Sequence, residues 1–223
     1  QRARALDQLG PRLDAVHHAA ALPLQQQVVQ DEAQVGLARA VVDELNVGAL
    51  GDWNRKHHDG KLALCDLVAE QYPLVIFHGD VGTGKTAMAE CIANRLVAES
   101  RSSDSMLFKL SNRVRGNGMV GEMGTLIAEA FRKVTQSAGK TRRAILIVDE
   151  GDSLAASRAQ DHSHHEDKVA VNTLIQGIDD LRQYGGRVVV ILCTNRLSIL
   201  DPALRRRAAI IETFSRPSDA ERQ

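Results

Sequence analysis

Gly79-Asp80-Val81-Gly82-Thr83-Gly84-Lys85-Thr86 carries the most specific pattern in this chain. An apolar run (Leu74, Val75, Ile76, Phe77) leads into it, and a helical pattern (Met88, Ile92, Leu96) follows. A strand, the pattern GxxxxGK(S/T) and a helix, in that order, make the context of a phosphate-binding loop. Its glycines let backbone N–H groups turn inward and approach phosphate oxygens that a Cβ would hold off. Lys85 is expected to neutralise β- and γ-phosphates and the Thr86 hydroxyl to hold Mg²⁺, with the helix N-terminus adding a favourable dipole. This stretch is therefore expected to bind a nucleoside triphosphate.

Further along, Ala144-Ile145-Leu146-Ile147-Val148 is continuously apolar, as a strand covered on both faces should be. It ends in Asp149-Glu150, the Walker B pattern. Asp149 is expected to hold Mg²⁺, directly or through water, and Glu150 to orient and polarise the attacking water. A third buried strand, Val188 to Leu192, ends in Cys193-Thr194-Asn195-Arg196. Strands alternating with helices predict a doubly wound α/β sheet. In such sheets ligands gather at the strands' carboxyl ends, where the phosphate loop, Asp149-Glu150 and Asn195 all fall.

The rest of the chain sets the surroundings. Residues 1 to about 24 read as weakly specified helix broken at Gly10-Pro11, and a better helix is predicted from Asp31 to Asn46, with Gly48 after its end. A polar stretch, Gly51 to Lys61, holds Trp53, read as a partly buried core anchor or an adenine contact. Asn112 to Met123 lacks periodicity and reads as a loop, as does the His-containing segment Gly151 to Lys168. Helices are predicted around Leu126–Val134 and Val171–Leu181, a short one at Asp201-Pro202, and a last strand from Ala209 to Phe214. The domain reading is a helical segment over 1–50, a nucleotide-binding domain over 51–217, and the start of a linker over 218–223.

Composition narrows the function. Lys+Arg and Asp+Glu both number 28 in 223 residues, which argues against a polyanion-binding protein as a whole. Cys65, Cys91 and Cys193 show no metal-binding or disulfide spacing. No apolar run is long enough for a membrane span and the start is not a signal peptide, so a cytoplasmic location without membrane contact is expected.

The combined motifs resemble the AAA+ ATPases: Gly79 to Thr86, Ile145 to Glu150, Cys193 to Arg196, and Leu200-Asp201-Pro202-Ala203-Leu204-Arg205-Arg206-Arg207. The resemblance covers Pro73 to Pro217. It implies a P-loop domain with a five-stranded parallel sheet of order 5-1-4-3-2, ATP and Mg²⁺ as cofactors, and a homo-oligomeric ring, usually a hexamer, with ATP between subunits. It implies that Asn195 is the sensor-1 residue and that the arginine finger lies at Arg206 or Arg207. It implies a pore loop at Gly118-Met119-Val120-Gly121, with Met119 in place of the usual aromatic and Met119 and Val120 touching a threaded peptide. The family's helical lid with sensor-2 is expected to lie outside this sequence.

Among AAA+ proteins, Asp149 to Arg158, Val171 to Asp179, and Arg207-Ala208 with Pro217-Ser218 are similar to the pachytene-checkpoint type. That resemblance implies remodelling of a HORMA-domain protein, in bacteria beside second-messenger synthases in antiviral defence. Two other readings compete. A nucleic-acid loader would use Arg113, Arg115, Lys133, Lys140, Arg142 and Arg143 for phosphate contacts. Another AAA+ unfoldase or chaperone would take a different client, while a nucleotide-gated scaffold without turnover fits Glu150, Asn195 and the arginines poorly.

Overall fold

The computed structural model describes residues 14–16, 47–60, 62, 63, 65, 71–98, 106–110, 122–140, 142–151 and 165–216. Its strands are β1 (Asp14–Val16), β2 (Leu74–Gly79), β3 (Met106–Leu110), β4 (Ala144–Val148), β5 (Val188–Thr194) and β6 (Ile210–Phe214). The α-helices are α1 (Val47–His57), α2 (Lys85–Ala98), α3 (Glu122–Ala138), α4 (His165–Leu181) and α5 (Pro202–Arg205). One sheet forms in the order β1-β3-β4-β5-β2-β6. From β3 to β6 all pairings are parallel, which is the expected five-stranded order.

The apolar runs alternate between two cores. Leu74 and Ile76 of β2, with Ala144, Leu146 and Val148 of β4, enter a core shared with α3 and α4. Val75, Phe77, Ile145 and Ile147 point to the other face, against Met88, Ile92 and Leu96 of α2. Because helices cover both faces, the strand sequences carry no polar alternation. On the first face α3 and α4 touch closely: a Cβ on Gly177 would lie 2.5 Å from the Phe131 ring. A glycine there lets two helices approach to aromatic contact.

Asp14–Val16 departs from the helix expected over residues 1 to about 24. The segment is a strand, antiparallel to β3, with Ala15 opposite Phe108. It covers the sheet edge that β3 would otherwise leave unpaired, a gain that local helix propensity does not register. The helix predicted for 31–46 lies outside the described residues. Helix α1 starts at Val47, contains Gly48 and runs into the polar stretch that begins at Gly51, across the boundary drawn at residue 50. It has few apolar residues to give a helical period, so its pattern was silent.

Trp53 is also not the core anchor expected: it is 48% exposed, lying over His57 and His58 with ring centroids 5.4 and 5.0 Å away. Among the described side chains of α1, the buried one is Asn54. Its Nδ2 donates to Gly60 O at 3.0 Å and its Oδ1 accepts from Leu62 N at 3.1 Å, tying down the following turn. A buried amide satisfied on both sides is a better fastening there than a ring.

Candidate functional site

The phosphate loop joins β2 to α2 with a backbone only glycine tolerates at its critical points. Gly82 and Gly84 have φ of 81° and 88°, and nothing lies within 4 Å of where their Cβ atoms would be. The space beside them is a cradle of backbone, open to a ligand. Gly79 is constrained differently: its Cβ would sit 1.9 Å from Phe214 O, where the end of β6 closes on the loop.

Lys85 is buried at the first turn of α2. Its Nζ donates to Gly79 O at 2.8 Å and Asp80 O at 2.6 Å, and stands 3.4 Å from Thr83 Oγ1. The ammonium is thus fixed inside the curve of the loop. Thr86 Oγ1 donates to Asp149 Oδ1 at 3.1 Å, although 63 residues separate them. The parallel pairing of β2 with β5, and of β5 with β4, makes that meeting possible.

Glu150 follows Asp149 with φ of 55°, the one non-glycine residue with positive φ among those described. A left-handed conformation in a glutamate costs on the order of 1 kcal/mol or more. Its amide donates to Asp149 Oδ1 at 3.0 Å, and Gly151 behind it packs so tightly on Leu192 that a Cβ would meet Cδ2 at 2.7 Å. Those two contacts accompany the turn that leaves the Glu150 side chain exposed just past the carboxyl end of β4.

A cavity of about 430 Å³ collects these groups. Its walls include Gly82, Lys85, Thr86, Asp149, Glu150 and Asn195, so the predicted loop, acid pair and asparagine share one site. Thr194 ends β5 buried and accepts from Arg196 N at 3.2 Å, which fixes the bend presenting Asn195. Cys193 also lines the cavity. Burial, with the Asp149 carboxylate adding to it, pushes its thiol up to about 12, so it stays a neutral wall rather than a nucleophile.

The residues fit Mg²⁺ with a triphosphate. A hydroxyl and a carboxylate in contact are the oxygen donors a hard cation takes, beside a glycine cradle and a buried ammonium for phosphates. Two site residues were missed in the sequence. Lys109 Nζ lies 2.9 Å from Glu90 Oε1 and 3.6 Å from Asp149 Oδ2. The available signal was a lone lysine inside the apolar strand Met106–Leu110.

The two candidate finger arginines part company. Arg207 Nε and Nη2 donate to Asp179 Oδ1 and Oδ2 at 2.5 and 2.9 Å, Nη1 donates to Ala203 O at 3.1 Å, and the guanidinium lies 5.3 Å from the Tyr72 ring centre. The Asp179 hydrogen bonds, working against burial, hold its pKa above the usual value. Arg206 is exposed at the end of α5, whose start is capped by Asp201 accepting from Ala203 N at 2.8 Å. Neither arginine lines the cavity of its own chain. The predicted pore loop, Met119 and Val120, lies outside the described residues.

Residues 75–216 match the family of ATPases associated with various cellular activities, AAA. The chain belongs to the AAA family. Two relatives, both named CD-NTase-associated protein 6, show how near it stands to known members. That of Escherichia coli strain KTE188 is 75% identical over 80% of this chain and 60% of its own length. That of strain MS 115-1 is 42% identical over 86% of this chain and 64% of its own. The AAA chain thus spans about three-fifths of the curated relatives it matches.

Among solved structures, a chain in the E. coli MS115-1 HORMA:CdnC:Trip13 complex superposes with a TM-score of 0.71 at 39% identity, covering 86% of this chain and 65% of that one. Rhizobiales Trip13 gives 0.60 at 36% identity, covering 86% and 64%. PCH-2 of C. elegans, at 21% identity and TM-score 0.57, shares the fold. These neighbours agree with the pachytene-checkpoint resemblance read from the motifs. Among the described residues no helix is long and apolar enough to cross a membrane.

Proposed function

We propose that this AAA domain hydrolyses ATP within a homo-oligomeric ring, a hexamer, and that the ring remodels a HORMA-domain protein by pulling a segment through its pore. The observation that carries the reading is the contact of Thr86 Oγ1 with Asp149 Oδ1 at 3.1 Å beside the buried Lys85. It brings the loop hydroxyl and the strand-end carboxylate together, which supports reading them as one metal-nucleotide site.

Thr86 and Asp149 would hold Mg²⁺, which would supply neutralising charge to the triphosphate. The loop from Gly79 through Asp80, Val81, Gly82, Thr83 and Gly84 binds phosphate oxygens through its amides, and Lys85 adds its charge at the β/γ position. Glu150 orients a water for attack and accepts its proton, while the Asn195 amide holds that water near the γ-phosphate. Arg206 reaches the nucleotide of the adjoining subunit, where a guanidinium fork stabilises charge developing on the γ-phosphoryl oxygens. Arg207, committed to Asp179, holds the segment that presents it.

For the client, the support is the company kept by similar proteins. One similar chain was solved with HORMA and CdnC, and the curated relatives are named for association with a CD-NTase. On that basis the setting is antiviral defence, with Met119 and Val120 gripping the client's extended segment. The test uses the full-length protein and its HORMA partner. With ATP, Glu150→Gln should bind nucleotide, hydrolyse at least about 100-fold more slowly and retain the client on a pull-down. Lys85→Ala should lose nucleotide and client together. Unchanged turnover in Glu150→Gln, or normal nucleotide affinity in Lys85→Ala, would overturn the reading.

A further inference from the structure

We propose that Lys109 and Glu90 form a charge-compensated pair that positions the Asp149 carboxylate and sets how much Mg²⁺ the site requires. The inference rests on Asp149 being the metal-holding carboxylate, as argued above, and concerns two residues with no part in that reading.

The pair is built by two elements. In β3, Leu107 packs toward α2 while Phe108 and Leu110 face the other core. Lys109 pairs with Ile147 of β4, and Asp149 N donates to Leu110 O at 3.0 Å. The backbone therefore sets Asp149 just past the end of β3, within reach of the lysine. Glu90 lies four residues after Thr86 on α2, one helical turn along the same face. The ammonium thus sits between a helix carboxylate and the sheet-end carboxylate.

The two oxygens of Asp149 have different tasks. Oδ1 accepts from Thr86 Oγ1 and from Glu150 N. Oδ2 faces Lys109 Nζ at 3.6 Å, an ion-pair distance rather than a hydrogen bond, because Glu90 holds the ammonium at 2.9 Å. Burial lowers the lysine's pKa, but the Glu90 hydrogen bond and charge, with Asp149 behind them, raise it overall, so it stays charged. Partners of a metal ligand that are not ligands themselves commonly set its orientation and affinity.

Charge explains why a pair is needed. A lone ammonium against Asp149 would compete with a divalent cation for the same oxygens. Glu90 cancels that charge and keeps the ammonium at arm's length. Lys109 can then restrain the carboxylate at little cost to metal affinity. Lys109 and Glu90 are positioning residues, and their removal should push the metal requirement in opposite directions.

The experiment measures binding of a fluorescent ATP analogue to the full-length protein as Mg²⁺ is titrated, with thermal melts as a folding control. Glu90→Gln releases the ammonium onto Asp149 and should raise the half-saturating Mg²⁺ by about three- to tenfold. Lys109→Met leaves two carboxylates and should lower it by a similar factor, while turnover at saturating Mg²⁺ falls. The double variant should return the Mg²⁺ requirement to near the native value, as should Lys109→Arg alone. Shifts of the same sign in both single variants, or none, would overturn the pair's role. Asp149→Ala separates the two readings: if it leaves the Mg²⁺ dependence unchanged, the metal assignment itself fails and takes the inference with it. If Asp149→Ala abolishes that dependence and the pair variants do nothing, the inference alone falls.

Discussion

Two polar regions of this molecule lie on the same sheet, and they are held in opposite ways. At the carboxyl ends of β2, β4 and β5, the backbone is forced: Gly82 and Gly84 take positive φ, and so does Glu150. The side chains there are joined by contacts of about 3 Å to one another and to loop carbonyls, beside an open cavity. At the junction of α4 and α5, by contrast, Arg207 spends its donors on Asp179 and Ala203 O and lies by Tyr72. The first region gathers a buried ammonium, a hydroxyl, two carboxylates and one strained glutamate backbone around an open cavity. The second uses up its polar capacity inside the fold, and so reads as a fastening.

The contrast is sharpest between neighbours, Arg206 and Arg207, and substitution can break it. On the proposed role in an adjoining subunit's site, Arg206→Ala should reduce ATP turnover by about 10³-fold while leaving the melting temperature unchanged. A steady-state ATPase assay with a thermal melt checks both; equal loss from Arg207→Ala with no change in melting would reverse the assignment. Arg207→Ala should instead destabilise the domain by about 1–3 kcal/mol, since it leaves the partly exposed Asp179 without its bidentate partner. Denaturant unfolding of Arg207→Ala, Asp179→Ala and the double variant should show strong non-additivity, and additive losses would dissolve the fastening. The smallest effect is expected at Gly177→Ala, whose new Cβ meets the Phe131 ring 2.5 Å away. It should cost about 1–2 kcal/mol of stability as α3 and α4 move apart, with nucleotide affinity untouched by titration.

Much of the site was legible because phosphate chemistry restricts the spelling. A glycine-rich turn, a lysine and a hydroxyl must be contiguous, so Gly79 to Thr86 announces itself whatever surrounds it. Asp149-Glu150 was legible for a second reason: a strand buried on both faces leaves no polar residue until it ends. Lys109 broke that rule within β3, yet its partners could not be named, because Glu90 and Asp149 lie 19 residues before it and 40 after it. Trp53 misled for the opposite reason. Its size suggested burial, but α1 turns Asn54 inward and leaves the indole with two histidines.

Local periodicity and contiguous chemistry yield the alternation of strand and helix, the parallel sheet and the candidate nucleotide-contacting residues. Packing alone sets Asp14–Val16 along the edge of β3, ties down Arg207 while Arg206 stays exposed, and brings Glu90 and Lys109 beside Asp149. Each of these is a contact between distant segments. Its free energy depends on which groups the packed sheet brings within a few ångströms, and no local pattern encodes that.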